Sequence, residues 1–408
     1  MSSLPLSGIK ILDLTRVLAG PLSAQMLADL GAEVIKIERP GRGDDARAYG
    51  PPYLRDPEGK ENDNNSFYLC ANRNKKSVTV NIATEEGQEI IRELAKGCDV
   101  FMENYKVGDL RRYKLDYEAI KAVNPGIVYC SVTGFGQTGP YASRAGYDAI
   151  FQAMGGLMSV TGHMDGEPGA GPIKVGPSIV DYMTGMNSSI GILAALYHRK
   201  INGGQGQHVD VCLLDTVIAS LSHYAQIFLL NGQTPPRRGN WGNGGMPAGV
   251  FRCTDGELML VVGNDGQFAR ACAVLGAPEL ASDPRFVKNG DRVLHGKEIM
   301  AIFAGLFLKR PVAYWLDELE KSGVPSGPVN DFAQVFADRH VRSRGMEIKV
   351  DHPLEPALSL IRNPLTFSGT PVNEYRAPPL LGENTREVLA AIGYDEAKIE
   401  ALKQKKIV

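Results

Sequence analysis

The stretch Gly8 to Asp44, GIKILDLTRVLAGPLSAQMLADLGAEVIKIERPGRGD, constrains the fold of this chain more than any other. It reads as strand, tight turn, helix and second strand, followed by a basic, glycine-rich loop. Ile9, Ile11, Leu12 and Leu14 form a short β-rich run. Gly20 and Pro21 break it, and Leu22, Met26, Leu27 and Leu30 then recur at helical spacing until Gly31 stops the helix. Val34, Ile35 and Ile37 make a buried second strand. Arg39, Arg42 and Arg47 follow it, at the kind of strand end where an open α/β sheet meets its ligand, and arginine there suits a phosphate.

The alternation continues downstream. The patterning predicts extended pieces at Ser66 to Leu69 and Ser77 to Ile82, a helix from Glu85 to Lys96, a strand from Val100 to Glu103 ending in Asn104, a helix over Tyr117 to Val123 and a strand from Ile127 to Val132. Helices are predicted over Ala149 to Leu157, Tyr182 to Arg199 and Leu214 to Leu230, with a strand His208 to Cys212 between the last two. Strands that alternate with helices imply an α/β fold, a Rossmann-like, open, mostly parallel and doubly wound sheet. The pattern changes at Pro235 to Gly249, PPRRGNWGNGGMPAG, a glycine- and proline-rich loop long enough to be a functional element, a domain linker or both. After it come a strand pair, Gly249 to Arg252 and Leu258 to Val262, and helices near Gln267 to Leu275, Gly296 to Phe307 and Trp315 to Lys321. A second punctuated loop, Val324 to Val329, and a helix over Asn384 to Ile392 follow. At 408 residues the chain exceeds one typical domain, so a smaller α+β domain beside the large one is expected.

Charge and composition narrow the partners. Acidic and basic residues number 46 and 44, so no global field draws the protein to nucleic acid or to an anionic membrane, and an anionic ligand must be held by local charge. The opening MSSLPLSGIK has no basic segment ahead of an apolar core, and no apolar run approaches the roughly 18 residues of a membrane span, which implies a cytoplasmic protein or one of an organelle matrix. Six cysteines lie scattered, mostly in apolar segments such as IVYCSV and HVDVCLL, and read as reduced, buried thiols. His208 and Asp210 are the nearest approach to a metal pair but lack a third ligand nearby, so no metal site is expected.

A literal G-x-G-x-x-G stands at Gly134, Gly136 and Gly139. Pro140 follows at once and Ala142 to Gly146 has no helical apolar spacing, so the helix whose N-terminus would hold a pyrophosphate is missing, and the motif reads as a turn. Asp181, in VGPSIVDYMTGMN, opens a helix dense in Met, Ile, Leu and Ala. Two readings stand side by side. Aspartate is a favoured N-cap, and a carboxylate shielded from water at a helix start is also a competent nucleophile for a covalent acyl intermediate. Spacing does not choose between them.

Several blocks resemble the family III CoA-transferases, the family of formyl-CoA and carnitine CoA-transferases that also contains α-methylacyl-CoA racemases. They are LDLTRVLAGP (Leu12 to Pro21), GAEVIKIERPGRGD (Gly31 to Asp44), NRNKKSVTVNI (Asn72 to Ile82), MENYKVGDLRR (Met102 to Arg112), NPGIVYCSVTGFGQTGPY (Asn124 to Tyr141), GQGQHVDV (Gly204 to Val211), SGVPSGPV (Ser322 to Val329) and APPLLGENT (Ala377 to Thr385), so the likeness runs nearly end to end. The resemblance implies that Asp181 is the catalytic aspartate, working through an aspartyl anhydride and an aspartyl-CoA thioester. It also implies CoA contacts at Arg16, Val17, Leu18 and Ala19, at Arg39, at Val80, Asn81, Ile82 and Ala83, at Asn104, Tyr105 and Lys106, at Arg112 and at Tyr147. Formyl-CoA transferases carry glutamine where Leu18 stands and lysine where Ala145 stands, which puts those two contacts in question. Gly242, Asn243, Gly244 and Gly245 resemble the loop that closes over the acyl intermediates, with Met246 read as a wall suited to a larger acyl group. Asp148 is expected to be a supporting residue. The implied architecture is an interlocked homodimer. Its parts are an N-terminal part of the CoA-binding domain (1–200), a linker helix region (201–233), a small lid domain (234–330) and a returning C-terminal part (331–408).

Coenzyme A and its acyl esters are implied as substrates, with no tightly bound cofactor. Within the family, LSHYAQIFLLNGQ (Leu221 to Gln233) and GYDAIFQAMGGLMSVTG (Gly146 to Gly162) are most similar to the branch that uses succinyl-CoA with dicarboxylates, and Arg237, Arg238 and His223 are candidates for a distal carboxylate. The racemase branch remains the first alternative. It pairs the acid with a histidine directly preceding an aspartate, where this chain has Tyr147 and Asp148. A CoA-binding module without chemistry is the second.

Overall fold

A computed structural model describes residues 4–56, 58–242 and 244–408. Two compact units divide them. The first comprises the chain up to Leu157, Val175–Asn231 and Arg344–Val408, and the second Met158–Lys174 and Gly232–Ser343.

The first unit is built on six parallel strands, β1 (Lys10–Asp13), β2 (Glu33–Glu38), β3 (Lys75–Thr79), β4 (Val100–Glu103), β5 (Val128–Thr133) and β6 (His208–Cys212). Their spatial order is β3-β2-β1-β4-β5-β6, so the winding reverses between β1 and β4. Neighbouring residues on each strand serve opposite faces, as the two-residue repeat of a pleated strand requires. Leu12, Ile35, Phe101 and Tyr129 join one buried cluster with residues of α2 (Glu85–Lys96), α3 (Tyr117–Val123) and two late helices, Thr385–Ala391 and Glu396–Gln404. Ile11, Val34, Val100, Met102, Val128 and Cys130 join another with α1 (Ala19–Asp29), α4 (Asp148–Met154), α5 (Ile179–Ile201) and α6 (Leu213–Ser220). The result is a sheet between two helical layers, the doubly wound arrangement that the alternation implied.

The second unit holds a three-stranded antiparallel sheet, β7 (Ala248–Arg252), β8 (Glu257–Val261) and β9 (Ser326–Pro328), with β8 in the middle. Phe251, Leu258, Leu260, Phe268, Phe303, Phe307 and Trp315 form its core.

Three local expectations change. Ser66–Leu69 is a short helix rather than an extended piece, because Asn65 caps it by accepting from the Phe67 and Tyr68 amides, a local choice that overrides the β-rich composition. The helix expected over 214–230 is two, α6 and α7 (His223–Asn231), bent by 80° at Ser222, whose φ of 51° lies in the left-handed region. Glu347–His352 and Glu355–Ile361 form a hairpin that the sequence reading did not assign. Among the described residues no single helix is long and apolar enough to cross a membrane, although two bent helix pairs pass that test together.

Candidate active site

The reversal point between β1 and β4 is where an open α/β sheet leaves a crevice beyond its strand ends, and the loop leaving β1 is pinned there atom by atom. Asp13 Oδ1 accepts from the Thr15 amide at 2.9 Å and its hydroxyl at 2.5 Å. Lys36 Nζ donates to the Thr15 carbonyl at 2.9 Å and to Asp44 Oδ2 at 2.7 Å. Asp44 Oδ1 accepts from the Val17 amide at 2.9 Å. From the other side of the crevice, Asn104 accepts from the Arg16 amide at 2.9 Å and donates to the Arg16 carbonyl at 2.7 Å. Val17 is thereby held at a φ of 71°, a conformation that costs a β-branched residue on the order of 1–2 kcal/mol and persists only where its surroundings overdetermine it.

The charges behind this loop are fully buried and mutually paired. Lys36 and Asp44 have no exposed side-chain surface, nor do Lys75 and Asp13, whose ion pair is 3.0 Å. Burial alone would lower the Lys36 pKa, but Asp44, Asp13 and Glu38 outweigh it and hold the ammonium above its ordinary value. Glu38, desolvated but bound twice by Arg47, falls to about 2.

Two cavities share this loop as a common wall, with Arg16, Asp45 and Tyr105 lining both. The first, ≈ 240 Å³, takes in Arg39, Arg112 and the run Val80, Asn81, Ile82 and Ala83. The second, ≈ 250 Å³, takes in Val17, Leu18 and Ala19 after β1, and Asn104 and Lys106 after β4. Tyr147, Ala145 and Asp181 complete it. Every residue to which the resemblance assigned a CoA contact therefore lines one of two adjoining cavities, although the segments are far apart in sequence. Leu18 and Ala145, the two departures from formyl-CoA transferase, line the second cavity with apolar side chains.

Asp181 lies in the first turn of α5 but is not its cap. The N-cap position is Ser178, without a side-chain cap bond. The capping is done instead by Asp148 at the start of α4. Its Oδ2 accepts from the Val180 amide at 2.7 Å and the Asp181 amide at 3.1 Å, while its Oδ1 accepts from Gln152 Nε2 at 2.5 Å. The Asp181 carboxylate is thus not spent on helix termini, and it accepts no hydrogen bond among the described residues. Desolvation and the neighbouring Asp148 charge push its pKa up to about 7. The buried carboxylates Asp13, Asp29, Asp44 and Glu38 are tied to cations, and Asp148 and Glu103 to neutral donors, whereas Asp181 has neither among the described residues.

Sequence reasoning missed two features. The first is the Lys36–Asp44 pair, whose signal was the KIERPGRGD run itself, where a lysine sits between the apolar Ile35 and Ile37 of the strand. The second is Arg144, which lines the Asp181 cavity with its guanidinium 3.8 Å from the Tyr141 ring. Tyr141 stacks edge-on against Phe135 and Phe135 against the buried Phe151, so the arginine rests on a column of rings rooted in the core. The turn at Gly134 to Gly146 serves the same packing, since a Cβ at either glycine would meet the Phe151 ring at 2.6 or 2.5 Å. The next helix after the G-x-G-x-x-G turn begins only at Asp148, which leaves no dinucleotide site there.

Other candidates fall elsewhere. Arg237 is paired with Asp165 within the second unit, and neither Arg238 nor His223 lines the two cavities. Gly242, Gly244 and Gly245 belong to the second unit, where a Cβ on Gly245 would lie 2.2 Å from the Val262 carbonyl oxygen, and Asn243 lies outside the described residues. Met246, read as a pocket wall, is buried in the core of that unit because it follows the loop directly into β7. His208 shares a hydrogen bond of 2.9 Å with Ser131, and among the described residues no cluster of three metal-ligating side chains occurs.

The open parallel sheet thus carries, beyond its strand ends, a cationic crevice that reaches the unpaired carboxylate of Asp181. The chain matches the model of CoA-transferase family III over residues 6–385, and it belongs to that family. It is 43% identical over 388 residues to the succinate–glutarate CoA-transferase of Agrobacterium fabrum, covering 95% of this chain and 96% of that one. It is 42% identical to the human succinyl-CoA:glutarate CoA-transferase, covering 98% and 88%. A CAIB/BAIF family protein from Brucella suis has a solved structure that superposes with a TM-score of 0.85 at 40% identity, over 96% of this chain and all of that one.

Proposed function

We propose that this enzyme carries CoA from succinyl-CoA to a second dicarboxylate, glutarate being the first to test. The names of its relatives support the substrate class, and the free carboxylate of Asp181 at the end of the CoA crevice carries the chemistry. In this reading an Asp181 oxygen attacks the thioester carbonyl, the C–S bond breaks, and CoA thiolate leaves a mixed aspartyl anhydride. The thiolate then attacks the aspartyl carbonyl, free succinate departs, and an aspartyl-CoA thioester remains. The acceptor carboxylate repeats these steps in reverse order, so the thioester is conserved, no net proton is consumed and water takes no part. A pinned loop at Arg16 and Val17 keeps the thioester end in one place, which is the entropic share of catalysis.

Transfer is favoured over racemisation because Tyr147 supplies no imidazole, and because the Asp148 carboxylate is engaged by three donors. The same reading carries a cytoplasmic enzyme, with the 242–245 loop as its lid and no nucleic-acid or membrane partner. A homodimer is supported by the exposed apolar residues along α5, among them Ile190 (61% exposed) and Tyr197 (66%).

Incubation with succinyl-CoA and a panel of mono- and dicarboxylic acids, read by mass spectrometry, tests the proposal. Glutaryl-CoA should form together with stoichiometric succinate, and hydrolysis without transfer would refute it. Arg144, with no carboxylate partner among the described residues, offers the charge for the distal carboxylate. Arg144→Gln should raise KM for glutarate by about tenfold, the worth of one charge-assisted bond, and leave a monocarboxylate of matched length unchanged. An equal effect on both acids would remove Arg144 from that role.

A further inference from the structure

Glu103, the last residue of β4, is a buried carboxylate that lines neither cavity and forms no ion pair among the described residues. Its two oxygens accept from two different segments of chain. Oε1 accepts from the Ser131 hydroxyl on β5, and Oε2 from the Tyr105 amide at 2.8 Å. Ser131 also shares a hydrogen bond of 2.9 Å with His208 Nε2 on β6. With Glu103 ionised, the serine proton is directed at the carboxylate and the imidazole donates to the serine oxygen, so donors from two neighbouring strands line up on Glu103.

What Glu103 fixes is the turn that leaves β4. Strand β4 pairs with β5 only as far as Glu103 and Ser131, so the turn beyond has no ladder to hold it. The next two side chains both go to one residue of the facing loop. Asn104 spends its oxygen on the Arg16 amide and its nitrogen on the Arg16 carbonyl, and the Tyr105 ring lies 4.8 Å from the Arg16 guanidinium. Arg16 leads into Val17, the left-handed residue that lines the Asp181 cavity. A carboxylate suits this position because it accepts on both oxygens, one for β5 and one for the turn, whereas a carboxamide offers a single acceptor. Holding it there without a cation is unfavourable, and desolvation lifts the Glu103 pKa to about 7.

We infer that Glu103 is a positioning residue for CoA transfer: by tying the 104–105 turn to Ser131 it keeps Arg16 and Val17 where the thioester meets Asp181. It touches no reacting atom and acts through Asn104 and Tyr105. This rests on the transfer reading above. Arg39 and the run Val80 to Ala83 in the first cavity follow β2 and β3 and do not depend on this turn. The effect of Glu103 therefore falls on the geometry of attack more than on the hold on CoA.

Glu103→Ala and Glu103→Gln in the full chain test it at pH 8, where the carboxylate is ionised, with amide hydrogen exchange, CoA calorimetry and turnover measured side by side. In Glu103→Ala the Arg16 and Val17 amides should exchange about tenfold faster or more, as when a hydrogen-bonded clamp opens locally. Its kcat should fall by about thirtyfold, inside the roughly 10²-fold that a 1 Å misplacement costs, while the CoA dissociation constant changes by less than about threefold. Glu103→Gln, whose carbonyl oxygen still takes the Tyr105 amide, should recover most of both losses. Glu103→Asp keeps the charge but withdraws it by one methylene, and it should show the same two changes if the alanine variant does not fold. Unchanged exchange at Arg16 and Val17, equal factors in kcat and CoA affinity, or a glutamine variant no better than alanine would overturn the assignment. A parent that moves no CoA between acids would instead refute the proposed function and leave the exchange result standing.

Discussion

Asp181→Asn should abolish CoA transfer, by roughly 10⁴-fold or more as expected for loss of a covalent nucleophile, and at the same time make the protein more resistant to heat above pH 7. The first effect follows because a carboxamide nitrogen or oxygen does not displace CoA thiolate. The second follows from linkage. The Asp181 pKa is raised from 3.8 to about 7 in the folded state by desolvation and the Asp148 charge. Between those two pH values the unfolded chain has released this proton while the folded chain keeps it, so stability falls as pH rises through that window and stays at the lower level beyond it. Asparagine removes the penalty. The midpoint difference between Asp181→Asn and the parent should be near zero at pH 4 and grow to about 2 °C or more by pH 8. In the parent, kcat/KM should rise with pH through about 7 as the carboxylate ionises. A variant that loses activity and is also less stable at pH 8 would show that Asp181 holds the helix together instead.

Asp148→Ala should be the most destabilising single change in the site. It strands the Val180 and Asp181 amides and the Gln152 amide nitrogen, three donors around a buried carboxylate. At about 1–3 kcal/mol for each unsatisfied buried donor, less what entering water restores, a loss of roughly 3–5 kcal/mol is expected. Activity should fall with it, because the first turn of α5 sets where the nucleophile points. Asp148→Asn separates charge from geometry. Its single carbonyl oxygen keeps part of the cap, and removal of the like charge lowers the Asp181 pKa, so the acid limb of the pH profile should move to lower pH. Unchanged melting together with an unmoved acid limb in Asp148→Asn would contradict the role given to this residue.

How far these features were legible in the sequence depends on the physics behind each. The strands His208–Cys212 and Val100–Glu103 and the helix Gly296–Phe307 were read at their observed boundaries, since all three owe their ends to local turn residues and hydrophobic spacing. The strand order was not legible, because parallel pairing joins segments whose only local sign is burial. Asp181 was visible as an acidic residue at a helix start, yet its freedom was not. That freedom depends on Asp148, 33 residues away, taking the helix amides. The same holds for Lys36 and Asp44, whose pairing converts two charged residues in an apolar context into a support for the Val17 loop. Arg144 carried no signal at all, for its placement comes from the ring column on Phe151.

Covalent capture addresses the centre of this account most directly. Enzyme mixed with succinyl-CoA, quenched in acid and digested should yield the peptide containing Asp181 heavier by one CoA less one water, and hydroxylamine should convert that adduct to a hydroxamate at the same residue. An unmodified Asp181 in enzyme that still exchanges CoA, or an adduct confined to another side chain, would contradict it.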